Sequence, residues 1–303
     1  MADRVLKRIE DTLNSGSFYE AQQMYKTIYH RYSAKGMHAE SRRVLEEGAS
    51  LLFKKKQVTS AADLGILLVE AYDKEEGLVP GQAEFDQVDR VLQNLPSSST
   101  VSSEADSAQT SECLRFINKA IKWAQKVGGV PAAKRFHLRA GAFLWMWHGW
   151  KRLAEVILHH TRAQDWAGVA KVLSVCGELC PTSEEEMLVT RGVLQVVAWS
   201  HKDQENEHIS GAKSVMDTYM KLRDGGPLDS PLIHFSSFLL QALEVRSKDL
   251  VTLLSSRYAP SLNRDPNLNV WVARVEGRFF GEPNGGGLMG NLLRMLGPQP
   301  QQS

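Results

Sequence analysis

Apolar residues recur along this chain at the spacing of an α-helix, segment after segment, and only short polar breaks interrupt them. Ala21, Met24, Tyr25, Ile28 and Tyr32 fall at i, i+3, i+4, i+7 and i+11, which is one helix face. Met37, Val44, Leu45, Gly48 and Leu52 continue the pattern, Ala61, Leu64, Leu68 and Tyr72 repeat it, and Leu232, Phe235, Leu239, Ala242 and Leu243 carry it late in the chain. No sustained alternation of apolar and polar residues marks a strand. The breaks are helix punctuation: Asn14-Ser15-Gly16-Ser17, Lys35-Gly36, Val79-Pro80-Gly81, Gly128-Gly129-Val130-Pro131 and Asp224-Gly225-Gly226-Pro227. Cys180-Pro181-Thr182-Ser183-Glu184-Glu185-Glu186 reads as an N-cap and an acidic first turn that suits the helix dipole.

This pattern predicts an all-α fold of about thirteen or fourteen antiparallel helices. Roughly 35–45 residues per helix pair suggests an α-solenoid, with a globular helical bundle as the alternative. No tetratricopeptide consensus recurs, so the pairs resemble that repeat in architecture only. The expected organisation is an N-terminal half over residues 1–150, a C-terminal half over 151–281 and a flexible tail over 282–303. Residues 96–111 are rich in Ser and poor in large apolar side chains, and are expected as a surface loop.

The net charge is only +1 but is unevenly spread: +4 over residues 1–56, −9 over 57–112, +8 over 113–181 and −2 over 182–303. Blocks of opposite sign suggest either charged faces that meet charged partners or plain solvated helix surface. Three cysteines, Cys113, Cys176 and Cys180, are too few for a disulfide framework in 303 residues. The N-terminus lacks the apolar run of a signal peptide, and no stretch approaches the length of a membrane span. The expected compartment is the cytosol, with no direct membrane insertion.

Motifs of catalysis are missing. Gly285-Gly286-Gly287 is not followed by Gly-Lys-Ser/Thr, so it is no phosphate-gripping loop. No dinucleotide-binding glycine pattern, nucleophile elbow or His-Glu-x-x-His pair occurs. His159 and His160 are adjacent, so on a helix they diverge and do not share a metal easily. Cys176 and Cys180 lie at i, i+4 with no second pair, and read as structural cysteines rather than half a metal site. No enzyme, cofactor or metal is expected.

Residues 113–181 mix basic charge with Trp123, Phe136, Phe143, Trp145, Trp147, Trp150 and Trp166. Such a mixture suits single-stranded nucleic acid, but helix-packing aromatics with solvated cations explain it as well. Trp145, Trp147 and Trp150 do not share a helix face, so one of them is expected to meet a neighbouring helix or a partner. In the tail, Leu288, Leu292, Leu293 and Leu296 form a short amphipathic stretch that needs a surface to dock on.

The ordered segments Phe18-Tyr19-Glu20-Ala21-Gln22-Gln23-Met24-Tyr25-Lys26-Thr27, Ser60-Ala61-Ala62-Asp63-Leu64, Leu67-Leu68-Val69-Glu70, Pro260-Ser261-Leu262-Asn263-Arg264-Asp265-Pro266, Phe279-Phe280-Gly281 and Gly286-Gly287-Leu288-Met289-Gly290-Asn291-Leu292-Leu293 together resemble the Golgi-to-ER traffic protein four family. The resemblance implies a non-catalytic α-solenoid scaffold for the delivery of tail-anchored membrane proteins. Its N-terminal half would bind a dimeric targeting ATPase and its C-terminal half a ubiquitin-like protein that bridges to a client-holding chaperone. By the same resemblance, Arg4, Lys7 and Arg8 on the first helix would anchor the ATPase. Asp63 and Glu70 on the fourth would regulate it. Gln22 on the second helix, where the family often has a histidine, would be a further ATPase contact. Phe279, Phe280, Leu288 and Leu292 are candidates for the ubiquitin-like partner. An RNA-binding helical protein and a scaffold of another complex are the competing readings; no nucleic acid is expected on the family reading.

Overall fold

The computed structural model describes residues 2–75, 77–97, 104–200 and 203–281, with the backbone alone for 2–6 and 104–107. These residues form fourteen α-helices and one short 3-10 turn, and no strand. They divide into two compact units between Ala163 and Gln164. In each unit successive helices stack as antiparallel neighbours without a consensus repeat, so the all-α solenoid architecture expected from the spacing is the one observed.

The first unit holds α1 (Ala2–Asn14), α2 (Phe18–Ser33), α3 (His38–Lys54), α4 (Val58–Lys74), α5 (Gln82–Leu92), α6 (Glu104–His148), the 3-10 turn Gly149–Arg152 and α7 (Leu153–Ala163). Its core is built from the periodic positions: Ala21, Tyr25, Leu45, Leu52, Leu64, Leu68, Phe116, Ile117 and Phe136 are all buried. Each leucine, isoleucine and phenylalanine among them contributes about 1.5–3 kcal/mol when fully removed from water. Gly65 on α4 lets α6 approach: a Cβ there would sit 2.6 Å from the Phe116 ring. At Gly129 α6 breaks, with φ at +64° and ψ at −162°, a conformation that is essentially glycine's alone. Pro131, which lacks an N–H, then opens the second limb of α6, where that donor has no helical partner anyway.

The loop expected over 96–111 is shorter than its composition suggested. Residues 104–111 are the opening turns of α6. Acidic Glu104 and Asp106 suit a helix start, and Thr110 and Cys113, one turn apart, already lie on the buried side. A helix end that touches neighbours along one narrow stripe needs few large apolar residues, so low hydrophobicity there was a poor guide.

The second unit holds α8 (Trp166–Leu179), α9 (Thr182–Ala198), α10 (Glu205–Leu222), α11 (Pro231–Glu244), α12 (Lys248–Arg257), α13 (Ala259–Leu262) and α14 (Pro266–Phe280). Leu173, Val193, Leu194, Tyr219, Phe235 and Leu239 form its centre. α9 begins where the Cys180-Pro181 break put it, but no side chain caps it. Its acidic start turns inward instead. Glu185 accepts from the Tyr219 hydroxyl at 2.7 Å and from Arg223 Nε at 2.6 Å. Glu186 pairs with Arg264 and accepts from the Leu232 backbone N–H at 3.1 Å. These carboxylates tie α9 to α10 and to the start of α11.

Candidate partner-binding surface

α1 is amphipathic. Ile9 and Leu13 are buried, while Lys7, Arg8 and Glu10 face solvent. Arg4 falls one turn before Arg8 on the same helix, and its side chain lies outside the described ones. The helix thus offers Lys7 and Arg8 to a binding partner without disturbing its packing on α2.

The candidate residues on α2 and α4 come together. Gln22 is only 3% exposed. Its amide nitrogen lies 3.3 Å from Asp63 Oδ2 and 3.5 Å from the Ser60 carbonyl, and its oxygen accepts from the Ser60 hydroxyl at 3.3 Å. Gln22 therefore joins α2 to α4 rather than reaching outward. Asp63 in turn takes Arg115 of α6 at 2.6 Å and has Lys26 at 4.0 Å. Glu70, two turns along α4, takes Lys119 of α6 at 3.3 Å and Lys74 at 3.6 Å. The Asp63 and Glu70 side chains remain 36% and 33% exposed, so each keeps an open edge.

Arg115 and Lys119 were absent from the sequence-based candidates although a signal for them was present. Arg115, Lys119, Lys122 and Lys126 fall at i, i+4, i+7 and i+11, one face of α6. That face lies along the acidic face of α4: Lys126 closes the row on Asp73 at 2.6 Å. Beyond the break in α6, Arg135 pairs with Asp86, and Arg139 grips Asp89 of α5 at 2.8 Å. The −9 block and the first-unit part of the +8 block therefore meet each other inside one unit, an outcome that neither sequence reading of them contained.

Most aromatics of the basic block are committed as well. Trp123, Phe136 and Phe143 are buried in the first core. The Trp147 indole N–H donates to the Pro96 carbonyl at 3.1 Å, while Trp150 stands 66% exposed. Trp166 packs edge-on against His208 in the second unit. His159 meets His137, Nδ1 to Nδ1 at 2.9 Å. Among the described residues, no group of three or more His, Cys, Asp or Glu is arranged to hold a metal.

In the second unit, Phe279 and Phe280 end α14, half-buried, with the Arg246 guanidinium 5.0 Å from the Phe279 ring centre. Leu288 and Leu292 lie outside the described residues. Among the described residues, no helix is long and apolar enough to cross a membrane.

The sequence profile of the Golgi to ER traffic protein 4 family matches residues 35–296. The chain belongs to that family. The Homo sapiens Golgi to ER traffic protein 4 homolog is 33% identical over 303 residues, covering 97% of this chain and 86% of its own. The Takifugu rubripes homolog is 32% identical with 97% and 87% coverage. The crystal structure of C. therm. Get4 superposes with a TM-score of 0.74 at 19% identity, covering 98% of this chain and 96% of that one. At that identity the likeness speaks for the fold alone. Relatives of this family thus align with almost the whole length of the present member, through both units.

Proposed function

We propose that this chain is a non-catalytic cytosolic adaptor in the delivery of tail-anchored membrane proteins to the ER. It bridges a dimeric targeting ATPase and a ubiquitin-like protein, and through the latter a client-holding chaperone, and so favours transfer of the client. The observation that carries this reading is the near full-length match to Golgi to ER traffic protein 4 homologs. The first unit would meet the ATPase with Arg4, Lys7 and Arg8 of α1 and with the carboxylates of α4. The second would hold the ubiquitin-like protein by apolar contact at Phe279 and Phe280, with Leu288 and Leu292 of the tail.

The chemistry of the two ends fits a handover factor. Exposed ion pairs contribute about 0.2–1 kcal/mol each, so a charged face orients a partner and speeds its arrival while leaving the complex easy to dissolve. Apolar contact at the other end gives slower dissociation. The RNA-binding reading is the weaker one, because Trp123, Phe136 and Phe143 are core residues and Arg115, Lys126, Arg135 and Arg139 are engaged with carboxylates. Size-exclusion chromatography of the purified chain mixed with the targeting ATPase and the ubiquitin-like protein tests the bridge. One ternary peak is expected, and it should separate into binary species when either partner is left out. Elution of all three as separate peaks would end this reading.

A further inference from the structure

We propose that Arg115 and Lys119 of α6 compete, within the molecule, for the carboxylates that α4 offers to a partner. A cationic partner side chain that pairs with Asp63 or Glu70 does so in exchange for them. The inference rests on the proposed ATPase reading and adds to it a device that weakens the contact.

The geometry is specific. Arg115 lies 2.6 Å from Asp63 and Lys119 3.3 Å from Glu70. All four side chains are partly open to water, so the pairs are exposed ones, worth little individually and quick to exchange. Each carboxylate keeps an uncovered edge from which a partner's lysine or arginine can approach. Arg115 also has somewhere to go: Glu112, one turn before it on α6, already lies 2.8 Å away. Losing Asp63 therefore leaves Arg115 paired. Behind the carboxylate, Gln22 holds Asp63 from the buried side at 3.3 Å, which fixes the acid in place while its cation is exchanged. The result is a surface whose carboxylates are charge-compensated by Arg115 and Lys119 until a matching cation arrives, and whose affinity is kept low.

The test is calorimetric titration of the full chain with the targeting ATPase. Arg115→Gln with Lys119→Gln should bind roughly three- to tenfold tighter, the range expected when two exposed pairs no longer have to be broken. The charge-keeping pair Arg115→Lys with Lys119→Arg should bind as the unaltered chain does. Introduced together with Asp63→Asn and Glu70→Gln, the glutamine pair should give no gain, because nothing is left to compete for. Unchanged or weaker binding by the glutamine pair overturns the proposal alone. An equal gain in the background that carries Asp63→Asn and Glu70→Gln would also overturn it, since the effect would then be long-range charge. Absence of binding by the unaltered chain would overturn the ATPase reading and this proposal with it. Arg115 is exposed and Lys119 partly so, and circular dichroism is expected to report an unchanged fold.

Discussion

Arg139 holds Asp89 at two points, Nε to one carboxylate oxygen at 2.8 Å and a terminal nitrogen to the other at 3.0 Å, across the seam between α5 and the second limb of α6. Together with Asp63–Arg115, Glu70–Lys119, Asp73–Lys126 and Asp86–Arg135, it draws the acidic stretch of the chain onto the basic one. Burial pushes the Asp89 carboxyl up, but hydrogen bonds from Arg139 and Gln93 outweigh it and hold the acid below its ordinary range. Arg139→Ala should therefore cost about 1–3 kcal/mol at neutral pH, the penalty for leaving a largely covered acceptor short of its donor. An acid held below its unfolded value stabilises at pH above that value and loses the contribution as pH falls through the folded one. The variant should accordingly lose less stability on acidification than the unaltered chain. Urea melts at neutral and acid pH check both statements; equal melts at neutral pH would contradict them.

Glu185 plays the corresponding part in the second unit. It accepts from Tyr219 and takes Arg223 at 2.6 and 3.1 Å. Burial would raise its carboxyl, yet the bonds from Arg223 and Tyr219 bring it below its usual range, while the Tyr219 hydroxyl is driven upward by burial and by that same acid. Glu185→Ala strands both donors. The expected loss is about 2–4 kcal/mol, short of a fully buried pair because Arg223 keeps an edge in water. Thermal denaturation followed by tryptophan emission reads it, and an unchanged midpoint would refute the assignment.

A third expectation concerns mild acid. Burial lowers His137 to about 3, helped by His159 and Arg162. Burial likewise lowers His159 to about 4, against the pull of Glu155. The unfolded chain takes up these protons near the ordinary value of 6.5. Below that value the unfolded state binds more protons than the folded one, so stability falls with pH until the folded pair titrates. Melting temperature should decline from about pH 6.5 downward. Replacing both histidines by Gln, which keeps a hydrogen bond there, should flatten that decline. A slope unaffected by the double substitution would mean that other groups cause it.

The sequence was most legible where packing follows periodicity. The stripes Ala21 to Tyr32, Ala61 to Tyr72 and Leu232 to Leu243 form faces of α2, α4 and α11, and the glycine and proline breaks end helices where expected. It was least legible where polar groups meet across helices. Nothing in the local sequence pairs Asp63 with Arg115, which stand 52 residues apart. Nor does it turn Glu185 inward, because an acidic first turn looks the same whether it faces water or a buried arginine. Gln22 illustrates the same limit: a family position read as a surface contact is here a buried bridge to Ser60 and Asp63. The start of α6 at Glu104 escaped because serine-rich composition describes solubility and not backbone conformation.

On the proposed reading, the charged face of the first unit meets the targeting ATPase. Calorimetric titration of that ATPase with the unaltered chain and with Arg4→Glu/Arg8→Glu, each at low and at moderate salt, tests this contact. Binding should be present in the unaltered chain, weaken as salt rises, and fall roughly tenfold or more on reversal of the two charges, as several small ion-pair contributions turn repulsive together. Equal affinity for both chains at both salt concentrations would mean that α1 is not the ATPase contact.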